Sequence, residues 1–228
     1  VGVEDVIGTP AAAKQVFGER LPLAERFTAM LAEHGVARGL IGPREVDRLW
    51  DRHVLNSAVI GERISTAARV ADVGSGAGLP GVPLAIARPD LDIVLIEPMA
   101  RRVDWLTEVV DELNLSSVTV LRGRAEEKAV LAAAAERDVV TARAVAPLAK
   151  LAGWCLPLVR TGGTLLALKG SSAAEEITRD RLAVTKAGGG EATVVECGGG
   201  LLDVPTTVVL IPRVSPEKKA KTKTQRRR

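Results

Sequence analysis

The spacing of apolar side chains changes period near residue 67. Upstream, the chain reads as helical. Residues 11–17 follow Pro10, a residue suited to a first helical turn. Across 22–33, Leu23, Phe27, Met30 and Leu31 fall at helical spacing and predict an amphipathic helix. Gly35 and Gly39 mark a loop, and Pro43 opens a further predicted helix carrying Val46, Leu49, Trp50, His53, Val54 and Ser57 on related faces. No strand-like run precedes Arg69.

Downstream, short apolar, often β-branched runs alternate with helical ones. Strands are expected at 69–73, 93–96, 118–121, 139–142, 164–168, 193–197 and 206–211. Helices are expected at 81–87, 100–113, 129–135, 147–158 and 173–184. This alternation predicts an α/β fold with a parallel, doubly wound sheet, and the two closely spaced last strands predict an antiparallel edge.

Composition narrows the class. With 228 residues, 46% of them hydrophobic, the chain holds one cored domain with an elaboration. It shows no charged-then-apolar leader and no apolar run of bilayer length, so a cytoplasmic protein without a membrane segment is expected. Cys155 and Cys197 are lone thiols, and His34 and His53 are the only histidines, so neither a disulfide framework nor a metal site is expected. The net charge of +3 is uneven: from Arg213 onward eight Lys/Arg face the single Glu217, a tail of +7, so the body carries 3 − 7 = −4. Such a tail buries too little to fold alone and suits a polyanion such as RNA, with Lys218 through Arg228 as the contact.

The first strand, Val70-Ala71-Asp72-Val73, runs into Gly74-Ser75-Gly76-Ala77-Gly78-Leu79-Pro80-Gly81. A glycine-rich turn there admits a ligand to the backbone where a Cβ would collide. The dinucleotide fingerprint asks for glycine at the sixth position of the motif, which here is Leu79. The G-x-G-x-G form is that of S-adenosylmethionine-dependent methyltransferases, whose ligand has no pyrophosphate. Gly74, Ser75, Gly76, Gly78 and Leu79 are therefore candidate cofactor contacts. Glu97, at the end of the second strand, is placed to accept hydrogen bonds from both ribose hydroxyls, a role common to either cofactor.

With these residues in view, the run Asp72 to Gly81 resembles the bacterial small-subunit (16S) ribosomal RNA guanine-N7 methyltransferases, the glucose-inhibited division protein B family. Further stretches carry the resemblance: Arg52-His53-Val54-Leu55-Asn56-Ser57, Arg124-Ala125-Glu126-Glu127, Arg143-Ala144-Val145-Ala146-Pro147-Leu148 and Leu168-Lys169-Gly170. It spans roughly residues 22–211. It implies a seven-stranded Rossmann-like methyltransferase sheet, with residues 1–66 as an N-terminal helical extension, 67–212 as the methyltransferase domain and 213–228 as a basic disordered tail. It also implies S-adenosylmethionine as cofactor, S-adenosylhomocysteine as product, and 16S rRNA or the small ribosomal subunit as partner, with the enzyme a monomer. Cofactor contacts carry over to Gly74, Leu79, Ala125, Glu126 and Arg143. Departures are Asn56 where Asp is usual, Arg101 where Lys is usual, and Thr206-Thr207 in place of Glu-Arg.

Guanine N7 carries an in-plane lone pair and no proton, so its methylation needs no general base, and alignment supplies most of the acceleration. The sequence correspondingly shows no poised nucleophile–base pair. Arg124, Arg143 and Lys169 follow strands at their C-terminal ends, where ligands bind in open α/β sheets, and are candidates for RNA or guanine positioning, or else salt-bridge partners. His53 is a fourth candidate, read first as a structural histidine hydrogen-bonded under the cofactor loop. Trp50, Trp105 and Trp154 read as core or half-core anchors. Competing readings are a methyltransferase acting on another RNA, a protein or a small molecule, an NAD(P)-linked oxidoreductase, and a non-catalytic RNA-binding module.

Overall fold

A computed structural model describes residues 8–143 and 146–215. The basic run 218–228 lies outside the described residues. Seven strands form one sheet in the order β3-β2-β1-β4-β5-β7-β6. They are β1 (Arg69–Val73), β2 (Asp92–Glu97), β3 (Val118–Arg122), β4 (Arg137–Arg143), β5 (Val159–Leu168), β6 (Thr193–Cys197) and β7 (Thr206–Pro212). The first five pair in parallel, while β7 pairs antiparallel with both β5 and β6, giving the expected mostly parallel sheet with an antiparallel edge.

β1 and β2 are buried at every position but the first, as strands covered on both faces must be. Their side chains alternate between two cores. Val70, Ile93, Leu95, Val139 and Leu166 face one, and Ala71, Val94, Ile96, Val140 and Leu165 the other. The first core takes in α4 (Gly81–Ala87) and α5 (Ala100–Glu112), the second α6 (Lys128–Ala134), α7 (Leu148–Cys155) and α8 (Ala173–Lys186).

The upstream helices join the first core. From α1 (Ala11–Phe17) and α2 (Leu21–His34), Phe17, Phe27 and Leu31 bury into the cluster that holds Val70 and Leu95. The segment after Pro43 departs from the continuous helix expected there. It runs as a 3₁₀ turn (Pro43–Arg48), a π turn (Leu49–Val54), a single α turn, α3 (Leu55–Ala58), and a further 3₁₀ turn (Val59–Arg63). The physical reason lies on β4: the Arg143 guanidinium takes the carbonyls of Arg52 and His53 at 3.1 and 3.3 Å, drawing helical acceptors toward itself. Among the described residues no helix is long and apolar enough to cross a membrane, and no group of three His, Cys, Asp or Glu is gathered as for a metal.

Candidate functional site

The C-terminal end of β1 opens onto a cavity of about 560 Å³, a size suited to a nucleoside-sized ligand. Its floor is the glycine loop, with Gly74, Ser75, Gly76, Ala77 and Leu79 in its wall. Gly74 and Gly76 hold φ of +72° and +54°, the left-handed region that disfavours side chains.

The loop's amides are used internally. Gly74 and Ser75 N–H donate to the Ile96 carbonyl at 2.8 and 3.2 Å, Gly78 and Leu79 N–H to the Ser75 carbonyl, and Gly76 N–H to Glu97 Oε2 at 3.0 Å. These amides do not form the phosphate cradle of a dinucleotide site, which agrees with Leu79 at the sixth motif position. From below, Trp105 Nε1 donates to the Ala77 carbonyl at 3.0 Å while its ring is fully buried. Asp72, also fully buried, ties the loop's two ends together: Oδ2 accepts from Gly81 N–H at 3.1 Å and Oδ1 from the Thr141 hydroxyl at 3.1 Å. Burial pushes its carboxyl up to about 6.

Glu97 is 1% exposed yet lines the cavity. Each of its oxygens accepts one backbone N–H, from Gly76 and from Met99, both at 3.0 Å, so each keeps acceptor capacity toward the cavity. Ala125 is buried in the wall beside Pro98 and Met99, and Glu126 and Arg124 stand exposed at the rim. A loop with glycine at 74 and 76, two carboxylate oxygens with acceptor capacity to spare and an apolar slot fit the adenosine half of S-adenosylmethionine.

The remaining candidates separate. Gly78 does not line the cavity. A Cβ there would meet Val82 Cγ2 at 2.8 Å, so this glycine serves the packing of the loop on α4. Lys169 points into the outer clefts and is engaged by Glu176 and the Ala146 carbonyl, both at 2.8 Å. His53 does line the cavity, but its expected bond to the cofactor loop is not formed. Its partners are Glu45 at 2.7 Å through Nε2 and Arg143 through Nδ1. Arg143 can only donate, so Nδ1 accepts and the ring proton sits on Nε2, facing Glu45. Burial, then the Arg143 charge, hold the imidazole below its ordinary range. Arg143 also donates to the Ser57 hydroxyl at 3.1 Å.

Beyond this cluster lies a second, larger space of about 1,090 Å³, whose walls include Arg48, Arg52, Asn56 and Lys169. Glu45 and Arg102 are cavity residues that sequence reading missed. Trp154 packs half-buried against the second core, as a half-core anchor would, and also stands in the cavity wall. Its apolar helical spacing is the same whether a ligand or a core covers it. Glu45 bonds to Arg52 and His53, seven and eight residues later, a pairing hidden in one sequence because the continuous helix expected there would hold those positions two turns apart.

The description of one family model, rRNA small subunit methyltransferase G, matches residues 20–204. The chain is 62% identical to the ribosomal RNA small subunit methyltransferase G of Rhodococcus jostii, over 90% of this chain and 89% of that one. It is 58% identical to the enzyme of the same name from Corynebacterium efficiens, over 90% and 88%. Among solved structures, a putative S-adenosyl-L-methionine-dependent methyltransferase from Methanococcus maripaludis superposes with a TM-score of 0.56 at 15% identity, covering 84% of this chain and 95% of that one. That likeness concerns the fold.

Proposed function

From the premise that the chain belongs to the rRNA small subunit methyltransferase G family, we propose that it transfers the methyl group of S-adenosylmethionine to N7 of a guanine in the decoding-region loop of 16S rRNA. The observation that carries this reading is the meeting of two spaces. A nucleoside-sized cavity with Gly74 and Gly76 in its wall shares Glu45, His53 and Arg143 with a larger cleft whose walls also carry Arg48, Arg52 and Lys169.

In this reading Gly74, Ser75, Gly76 and Leu79 border the cofactor, Glu97 receives its ribose hydroxyls, Ala125 and Glu126 border the adenine, and Arg143 stands at the reacting end. The bound cofactor supplies an electrophilic methyl on a sulfonium. Transfer would break the S–CH₃ bond, leave its electron pair on sulfur and form N7–CH₃, with no proton to remove and so no base asked of the protein. The protein's own residues orient and desolvate, the terms that dominate a displacement between aligned partners. Arg143 holds the Arg52–Ser57 segment against the end of β4 and so shapes the passage between the two spaces. Arg124 is an exposed rim charge suited to phosphate, and Lys169 acts chiefly by holding α8 to the 146–148 turn through Glu176. The basic run 218–228 adds phosphate contacts, so its removal weakens RNA binding and flattens its salt dependence. The enzyme acts as a monomer in the cytoplasm, where ribosomal subunits are assembled.

The test is mass-spectrometric mapping of methylated nucleotides in 16S rRNA from cells lacking the protein, with and without the restored gene. Loss and return of one 7-methylguanosine is the expected result. An unchanged map refutes the assignment.

A further inference from the structure

Three residues line both the glycine-loop cavity and the outer cleft: Glu45, His53 and Arg143. A base in the cleft that receives a group from the cavity meets this line of side chains. Two of the three are committed. Arg143 donates to the carbonyls of Arg52 and His53, to the Ser57 hydroxyl and to His53 Nδ1, and His53 spends its one N–H on Glu45. Glu45 is the anion of the trio. It is half-buried, oriented by His53 at 2.7 Å and by Arg52 at 3.2 Å, and a carboxylate has about four acceptor sites. The bond from His53, aided by the Arg52 and Arg48 charges, holds its carboxyl below the usual range, so it is ionised at neutral pH. The other acids are placed differently: Glu97 and Glu126 line only the cavity, and Asp51 and Asp203 only the cleft.

We infer that Glu45 recognises the acceptor guanine, its carboxylate accepting the ring N1–H and the exocyclic N2–H, and that it stabilises the positive charge the base acquires at N7. This rests on the N7-guanine reading above and supplies its missing electrostatic group. As N7 becomes methylated, the purine ring becomes cationic and its conjugated N1–H becomes a stronger donor. The bond to Glu45 therefore strengthens along the reaction, the condition under which binding energy accelerates a step. The N1 proton stays on guanine, shared with Glu45, and no co-reactant is needed. Adenine presents a lone pair at N1, which a carboxylate repels, so the same contact selects guanine. His53 is a positioning residue: locked by Arg143 in the tautomer that donates from Nε2, it aims the carboxylate.

The experiment measures Glu45→Gln and Glu45→Asp beside wild type, using small subunits from cells lacking this methylation. Thermal melting and calorimetric S-adenosylhomocysteine affinity serve as controls on folding and on the cofactor end. The expected result for Glu45→Gln is kcat lower by about a hundredfold, KM changed by less than about tenfold, and cofactor affinity within about twofold of wild type. Glu45→Asp recovers part of kcat. Independently of turnover, with S-adenosylhomocysteine bound, wild type prefers 7-methylguanosine to guanosine by about tenfold, and Glu45→Gln erases the preference. An unchanged kcat in Glu45→Gln, or equal affinity of wild type for the two nucleosides, overturns the inference while leaving the methyltransferase reading intact. Failure of wild type to form 7-methylguanosine overturns that reading, and the inference with it.

Discussion

The two ends of the cavity are built by different means. The glycine-loop end is made of backbone: the amides of Gly74, Ser75, Gly76, Gly78 and Leu79 are bonded to the Ile96 and Ser75 carbonyls and to Glu97, with Trp105 and Asp72 buried beneath. The passage end is made of side chains. Glu45 and His53 come from an irregular segment, and Arg143 comes from a strand about 90 residues later. Rigid backbone at one end suits a cofactor that is the same in every turnover. Charged side chains over an irregular turn suit a substrate that must enter and leave, and π turns are often found at such functional positions.

Perturbing each end sharpens this contrast. Gly81→Val strikes beneath the loop, where a Cβ would lie 2.2 Å from Leu95 Cδ2 and 2.8 Å from Asp72 Oδ2. A loss of about 3 kcal/mol or more in urea unfolding is expected, since neither neighbour has room to move. If the variant keeps wild-type stability, the buried end is softer than its packing indicates.

Asp72 gives the next effect. Its carboxyl is pushed from 3.8 to about 6 by burial, so the folded protein binds the extra proton between those values and stability falls as pH rises through them. Asp72→Asn retains an acceptor for Gly81 N–H without the charge. Its stability relative to wild type should rise from pH 4 to pH 7 by roughly 3 kcal/mol, with the gap closing below pH 4. A gap that stays constant with pH shows that the carboxyl is not strained by its site.

Glu97→Gln tests the cavity itself. It keeps one acceptor oxygen but sets its NH₂ against one of the two backbone N–H donors, so S-adenosylhomocysteine affinity should fall by about 2 kcal/mol in calorimetry, with subunit binding unchanged. Arg143→Lys acts at the other end and is the mildest. A single ammonium cannot span the carbonyls of Arg52 and His53 and the Ser57 hydroxyl, so hydrogen exchange should quicken across residues 49–58, by about 1 kcal/mol, while β1 stays protected. Equal quickening in both regions erases the distinction between the two ends.

The same contrast explains what one sequence reveals. Period, glycine spacing and the acid after β2 are local signals, and the sheet, its antiparallel edge, the loop and Glu97 were all legible from them. The passage was not legible. A helix was expected after Pro43 because its apolar spacing is helical, and the bonds that bend it come from Arg143, across the sheet. Gly78 shares the motif of Gly74 and Gly76, yet only the packing of Val82 shows that its lost Cβ makes room for α4, not for a ligand. Lys169 sits at a strand's C-terminal end, as a ligand group would, but Glu176, one helix later, engages it.

The most direct test of the account is a crystal structure with S-adenosylhomocysteine soaked in. The account predicts the nucleoside on the glycine loop, both ribose hydroxyls on Glu97 and the sulfur turned toward Glu45, His53 and Arg143. A nucleoside bound elsewhere, or a sulfur turned away from that passage, contradicts it.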